Sequence, residues 1–416
     1  MVKEWWSKVV FRNIVISQHK VIEILICFFT LMYVFCYQFN YPFSSTIFLY
    51  ASFVSMIIYA CLTRILKLER QFFVMFLLAL VSLIGVLYTD NHERGQREAV
   101  LLLVMLLYAL VLSLDVALLK RLRKYIFVCS FIVMLGVLIQ YANPATFNSF
   151  MQSFLRSDCY EQLIWSFNVD GAYAGFSAYT PDAAYFSTLI FGFSIFRFLD
   201  INEREERRGR FITLILAFCA VFVVILTSKR GLIVAMLGAL FFTILIVKKC
   251  SLKTIIAFGS IFIIGIVFVY FLSISNTTVS LFLQRFDPTG GKDLTTGRIV
   301  MWKQAFESLG GGISLVGKGT GSTYSLWEAG MHNIYLQIYY DHGLIGLIIY
   351  ATFFTYNLQK AIRCKDEQSL YVQFVMLIYG VSGNPIYSNS FFIVYVTYTV
   401  LNYQESNEAE MKEAVA

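Results

Sequence analysis

Residues 211–247 read FITLILAFCAVFVVILTSKRGLIVAMLGALFFTILIV, two apolar runs that meet at Thr227-Ser228-Lys229-Arg230-Gly231. A helix needs roughly 20 apolar residues to cross a hydrocarbon core of about 30 Å, and each run comes close to that length. In lipid every backbone N–H and C=O must find its partner inside the segment, so the pair reads as a helical hairpin. The rest of the chain repeats this design. Comparable runs fall at 21–40, 44–63, 71–88, 98–119, 124–142, 178–199, 254–273, 333–358, 369–383 and 386–402. Of the 416 residues 58% are hydrophobic and 14% charged, against about 45–50% and about 25% in soluble domains. The charge is too sparse to cover a water-facing surface. The expectation is an all-α, polytopic transmembrane bundle of about twelve spans, a single integral membrane domain over 1–416.

Basic residues collect on the cytoplasmic side of membrane proteins, and this orients the bundle. With the N-terminus inside, the segments 1–20, 64–70, 120–124, 197–210, 248–253, 360–365 and the tail are cytoplasmic. Together they carry 23 of the 33 Lys and Arg residues. Both termini are then cytoplasmic, and two long loops, 143–177 and 274–332, face the extracytoplasmic side. Long loops between membrane helices tend to carry function. The net charge of +7 follows from these topology signals, and no nucleic-acid module accompanies it. The N-terminal Met1-Val2-Lys3-Glu4-Trp5-Trp6 lacks a small-residue cleavage site and reads as an interfacial segment. Of the eight cysteines only Cys159 falls in an external loop, so no external disulfide is expected, and no cysteine spacing suggests zinc.

Three segments on the extracytoplasmic side could carry chemistry. The turn at Lys229 and Arg230 places two adjacent cations outside, against the charge rule. They either snorkel to headgroups or bind an anion at the membrane surface. In Leu294-Thr295-Thr296-Gly297-Arg298-Ile299-Val300-Met301-Trp302, Arg298 opens an amphipathic stretch, 298–309. Its planar fork suits phosphate oxygens; the plainer reading pairs it with Asp293 or Glu307. The third segment is Gly317-Lys318-Gly319-Thr320-Gly321-Ser322, followed by Met331-His332-Asn333-Ile334-Tyr335-Leu336. The glycines would let backbone amides approach a ligand, although the run is not a P-loop. His332 sits where the long loop meets the next span. A lone histidine is more often structural, but an unperturbed pKa of about 6.5 suits a general base acting on a sugar hydroxyl.

Taken in order, these segments resemble the O-antigen polymerase and O-antigen ligase superfamily. Its members are similar in having Ser-x-Arg-Gly at an external turn, Gly-Arg followed by Trp, a glycine-rich run, and His-Asn-x-Tyr-Leu before Gly-Leu-x-Gly. Here these are Ser228–Gly231, Gly297-Arg298 with Trp302, Gly317–Gly321, and His332–Leu336 with Gly343-Leu344-Ile345-Gly346. Upstream, Gly175-Phe176-Ser177-Ala178-Tyr179-Thr180-Pro181-Asp182-Ala183-Ala184 resembles the family's Gly-Phe-x-x-x-x-Pro-x-x-x-Ala segment. The likeness spans roughly 170 to 350.

The resemblance implies a GT-C-like glycosyltransferase in a bacterial plasma (inner) membrane, with its active site outside and an undecaprenyl-diphosphate-linked glycan as donor. It implies Arg230 and Arg298 as the diphosphate clamp and His332 as base or acceptor ligand. Lys229, Lys318, Asn333, Tyr335 and Asp182 would line the substrate. Asp341 with His342, or Asp182, are alternative bases. The predicted external segments hold no Asp-x-Asp or adjacent carboxylate pair, so inverting transfer without metal or cofactor is the simpler expectation. The regular spacing from Gly297 to His332 favours a polymerase over a ligase that transfers to lipid A core. A chain-length regulator and a flippase are implied partners besides the bilayer. A lipid-linked oligosaccharide transporter is the competing class, although neither internal repeats nor midplane helix breaks stand out.

Overall fold

The computed structural model describes residues 18–63, 70–112, 116–200, 207–247, 297–327 and 330–400, with Ile274, Val279, Ser280 and Leu283. The expected span 254–273, the N-terminal segment 1–17 and the tail 401–416 lie outside the described residues. Those described are helical throughout, apart from turns and one isolated bridge, Phe39 with Leu155.

In chain order the helices are α1 (Gln18–Phe35), α2 (Thr46–Thr63), α3 (Arg70–Val86), α4 (His92–Leu112) and α5 (Val116–Ala142). Then come α6 (Pro144–Gln152), α7 (Ser157–Asp170), α8 (Thr180–Asp200), α9 (Arg207–Leu226), α10 (Arg230–Val247) and α11 (Arg298–Ser308). The last are α12 (Thr323–Trp327), α13 (Ile334–Cys364), α14 (Glu367–Tyr379) and α15 (Asn389–Val400). Five of them, α4, α5, α8, α9 and α10, are long and apolar enough to cross a membrane, and α2, α3 and α15 contain shorter apolar stretches.

Burial ranks these helices. The apolar window of α8 is 78% buried, against 39% for those of α5, α9 and α10, so α8 is the central post. It packs against α5, α9, α10 and α14. Gly192 of α8 lets the Tyr371 ring lie on its backbone, and the Tyr371 hydroxyl donates to Thr188 O at 2.9 Å. Tyr185 stacks on Phe391 of α15 with ring centroids 3.8 Å apart. The outer helices keep apolar residues outward; along α3, Phe73, Phe76, Leu80, Leu83 and Ile84 recur at helical spacing and are exposed. Such a stripe suits lipid and would be costly in water.

The structure adds detail to two of the expected segments. The segment 143–177, read as a loop, folds. Asn143 caps α6, its side chain accepting from Thr146 N at 3.2 Å with Pro144 at the first helical position, an arrangement that starts helices well. Phe147, Met151, Leu155, Cys159, Leu163, Ala174 and Ala178 close into a small core of their own. The segment's apolar residues recur at helical spacing and need burial, which a loop cannot give them. Gly175, at φ +57°, lies against the backbone of Gly136 and Val137, and Gln140 Oε1 accepts from Ala174 N and Gly175 N.

The second segment is the expected span 333–358, which is a broken helix. α13 runs 31 residues and carries a non-helical Gly343 at φ 64°, ψ −161°. That backbone region is essentially reserved for glycine. The break withholds two helical bonds, from Leu344 N to Tyr340 O and from Ile345 N to Asp341 O. Residues 314–319 supply the replacements. Leu344 N donates to Ser314 O (2.9 Å) and Ile345 N to Leu315 O (3.1 Å), while Lys318 N donates to Tyr340 O (2.9 Å) and Gly319 N to Asp341 O (2.9 Å). An apolar surrounding tolerates irregular backbone only where protein satisfies it in this way.

Candidate active site

The turn between α9 and α10 is built by two backbone devices. Thr227 N and Ser228 N donate back to Val223 O and Ile225 O, and Ser228 takes the left-handed conformation, φ 57°, that commonly ends a helix. Lys229 O then accepts from Leu232 N and Ile233 N and starts α10. Lys229 and Arg230 thus stand at a helix N-terminus, whose positive end favours anions.

Arg298 is placed by α11. Gly297 turns into that helix at φ 82°, and residues four apart share one helix face. On this face Arg298 Nη1 donates to Ser382 O at 3.0 Å and Trp302 Nε1 donates to Met331 O at 2.9 Å. The Gly-Arg-x-x-x-Trp spacing therefore has a geometric cause. One residue reaches the turn after α14, and the other anchors the strand of chain that carries His332. Ala305, Met331 and Tyr340, with Trp302 and Leu336, form the small core beneath.

His332 also has a left-handed backbone, φ 51°, which is uncommon outside glycine and marks sites worth scrutiny. It is exposed by area, yet protein flanks the ring. Desolvation first, and then the charges of Arg298 and Lys229, push its pKa below the ordinary 6.5. The imidazole is therefore neutral at pH 7 and able to accept a proton. The same influences name its neighbours: Lys229, Arg298 and His332 occupy one locality, with Arg230 adjacent in chain. Burial also draws the Arg298 pKa below the usual arginine value, with Tyr379 opposing; a guanidinium remains charged in proteins regardless.

The other sequence-predicted residues divide differently. Asn333 caps α13, its Oδ1 accepting from Tyr335 N and Leu336 N at 3.1 Å each. Tyr335 donates its hydroxyl to Leu377 O at 2.7 Å. Asp182 is buried and accepts from the hydroxyls of Tyr37 (2.8 Å) and Ser390 (3.2 Å). Tyr379 lies within the electrostatic reach of both Asp182 and Arg298. Lys318 is exposed at the helix break. Asp341 and His342 are buried at 0% and 1% exposure, and Asp341 Oδ1 accepts from Thr323 N (3.2 Å) and Thr323 Oγ1 (2.7 Å).

Four amides of the glycine-rich run are held by protein and not offered to a ligand. Gly317 N is held by Ser314 Oγ at 3.0 Å, Lys318 N and Gly319 N by the broken helix, and Ser322 N by Gly319 O. Its glycines allow protein backbone to pass protein backbone. A Cβ at Gly319 would stand 2.6 Å from Gly85 O and 2.7 Å from Thr89 Cα, and one at Gly317 would stand 2.6 Å from Asp341 C.

The sequence reading missed the turn that follows α14, residues 379–384, having run a span to 383. Besides Ser382 O on Arg298, Gly380 O accepts from Ile334 N at 2.8 Å. A Cβ on Gly231 would collide with Ser382 Oγ, and one on Gly330 with Asn384 Nδ2. Gly380, Gly383 and the Asn384-Pro385 pair are turn signals available in sequence. Among the described residues no three His, Cys, Asp or Glu side chains gather closely enough to hold a metal ion.

Residues 215–351 match the family model described as O-antigen ligase. The match supports the O-antigen polymerase and ligase superfamily. It includes Lys229, Arg230, Arg298, the glycine-rich run and His332, and it stops short of the 379–384 turn. No curated protein matches the chain.

Proposed function

With residues 215–351 matching the O-antigen ligase family, we propose that this chain is a membrane glycosyltransferase that polymerises undecaprenyl-diphosphate-linked repeat units at the extracytoplasmic face. The observation that carries this reading is that Lys229 and Arg298 both act on His332, with Arg230 next to Lys229 in the chain and Arg298 bonded to Ser382 O.

In this reading Arg230 and Arg298 hold the diphosphate of the donor, and Lys229 adds to their field. As the bond from the anomeric carbon to phosphate breaks, negative charge grows on the leaving lipid diphosphate. Fixed cations stabilise that charge without reorganising. His332 accepts the proton of the attacking hydroxyl on the opposite face of the sugar, and the anomeric centre inverts. Its lowered pKa keeps the ring in the proton-accepting form. The acceptor is the sugar of a second lipid-linked unit, the membrane spans number about twelve, and both termini lie in the cytoplasm.

A ligase reading has its own support, since the matching family model is described as O-antigen ligase. The two differ only in acceptor. Reconstitution of the purified protein with an undecaprenyl-diphosphate-linked repeat unit separates them. A ladder of products without added acceptor is the outcome expected for a polymerase. Transfer that begins only when lipid A core is supplied would identify a ligase, and binding without either product would return the transporter reading.

A further inference from the structure

The turn Tyr379–Asn384 lies outside the stretch matched to the family, yet the parts of the site rest on it. Arg298 reaches it through a 3.0 Å bond to Ser382 O. A Cβ on Gly231, next to Arg230, would meet Ser382 Oγ and stand 3.1 Å from Ser382 Cβ, a tight approach. Ile334 N, two residues after His332, donates to Gly380 O at 2.8 Å. Gly330, two residues before His332, abuts Asn384. The turn itself is folded on its own backbone: Gly380 N donates to Met376 O (2.9 Å) and Ser382 N to Tyr379 O (2.9 Å). The Tyr379 ring fills the space beside Gly383 and stacks on Phe391 with centroids 5.5 Å apart, which fixes the turn to α15.

We propose that this turn is the positioning element of the site, aiming Arg230 and Arg298 at one shared anion and holding His332 opposite them. The proposal rests on the diphosphate-clamp reading. Ser382 is its pivot because a single residue touches both arms. Its carbonyl orients the Arg298 guanidinium, and its side chain sets how closely the start of α10, and with it Arg230, approaches. The helix that carries Arg298, α11, is only 11 residues long, so the bond to Ser382 O is what ties its arginine to the turn.

The contact at Gly231 gives a test with a built-in rescue. Gly231→Ala sets a methyl group against Ser382 Oγ and 3.1 Å from its Cβ, so that even with the hydroxyl turned away the start of α10 must give by a few tenths of an ångström. Replacing Ser382 by glycine in the same chain removes the obstacle and keeps the carbonyl that Arg298 uses. The measurement is the affinity of inorganic diphosphate for the full chain in detergent, by calorimetry, with each variant's melting temperature taken alongside. Hydrogen bonds to charged groups are worth about 1.5–3 kcal/mol, so Gly231→Ala should weaken binding by about tenfold or more. The Gly231→Ala, Ser382→Gly pair should recover most of it. Arg298→Ala separates this inference from the reading beneath it. If Arg298→Ala binds diphosphate as tightly as the native chain, the clamp falls and the proposal with it. If Arg298→Ala loses binding but Gly231→Ala does not, the turn positions nothing and the clamp stands. A paired variant that melts like the native protein yet stays weak also overturns the proposal. In the reconstituted reaction Gly231→Ala should lower kcat per folded molecule, as Arg230→Ala does, and the Gly231→Ala, Ser382→Gly pair should restore it, which a general loss of folded protein would not produce.

Discussion

Two regions of this molecule are rich in glycine and in left-handed backbone, and they use both in opposite ways. At the break in α13, Gly343, Gly317 and Gly319 let two stretches of chain lie in backbone contact, and every amide named there is bonded to protein. At the cationic site, Ser228 and His332 hold left-handed conformations with side chains that glycine would lack. Strain at the first place serves packing. At the second it is borne by Ser228, where α9 ends, and by His332, whose ring lies in the field of Lys229 and Arg298. A glycine-rich run beside a membrane helix is thus weak evidence for a ligand until its amides have been traced.

The contrast can be broken by substitution. The largest effect belongs to the cationic side: His332→Ala should lower turnover by about two to four orders of magnitude if the ring is the general base, with thermal stability nearly unchanged. A merely severalfold loss would reduce it to a positioning role. Arg298→Ala or Arg230→Ala removes a donor that stabilises developing charge, an effect of about 10²–10³ in kcat, read as loss of the product ladder from protein that still inserts. Full-length polymer from either variant would sink the clamp.

At the break the readout changes from activity to folding. Gly343→Ala asks for an alanine in a conformation costing about 1–3 kcal/mol, and its Cβ would strike Leu315 as well. The expected result is a clear drop in melting temperature, with the remaining folded protein retaining its affinity for diphosphate. Affinity lost at unchanged stability would show that the two regions are not separate.

The smallest effect is a pH shift. Folding lowers the His332 pKa, so the neutral base is present at pH 7 and is lost as pH falls through that depressed value. The acidic limb of kcat should therefore lie below about 6.5, the unperturbed value. Lys229→Met removes one of the charges responsible, so the limb should move to higher pH. A limb that stays put would mean that Lys229 does not act on this ring.

Much of this was legible in sequence, for physical reasons. Spans such as 231–247 announce themselves because lipid permits no other use of so apolar a run. The shared face of Arg298 and Trp302 follows from helical spacing, while the cations and His332 were grouped by their common side in the expected topology and by the family resemblance. Two things were hidden. The helical fold of 143–177 was masked by its position between spans, although Asn143-Pro144 was a usable start signal. The 379–384 turn was masked because Ser382 acts mainly through its carbonyl, which any residue would supply. The break at Gly343 left one trace, a helical run longer than about 30 Å of hydrocarbon requires, with two glycines inside it.

That break has a consequence for how the protein is made. Residues 314–319 leave the ribosome before residues 340–345, by about 1–6 s at translation rates of about 5–20 residues per second. The plug is therefore synthesised ahead of the gap it fills. When the two halves of α13 emerge, the partners for their unpaired backbone groups are already waiting, so the imperfect helix need never face lipid with those groups exposed. Moving the segment behind α13 by circular permutation would reverse the order and should leave a chain that inserts poorly, even though every contact of the finished fold is the same.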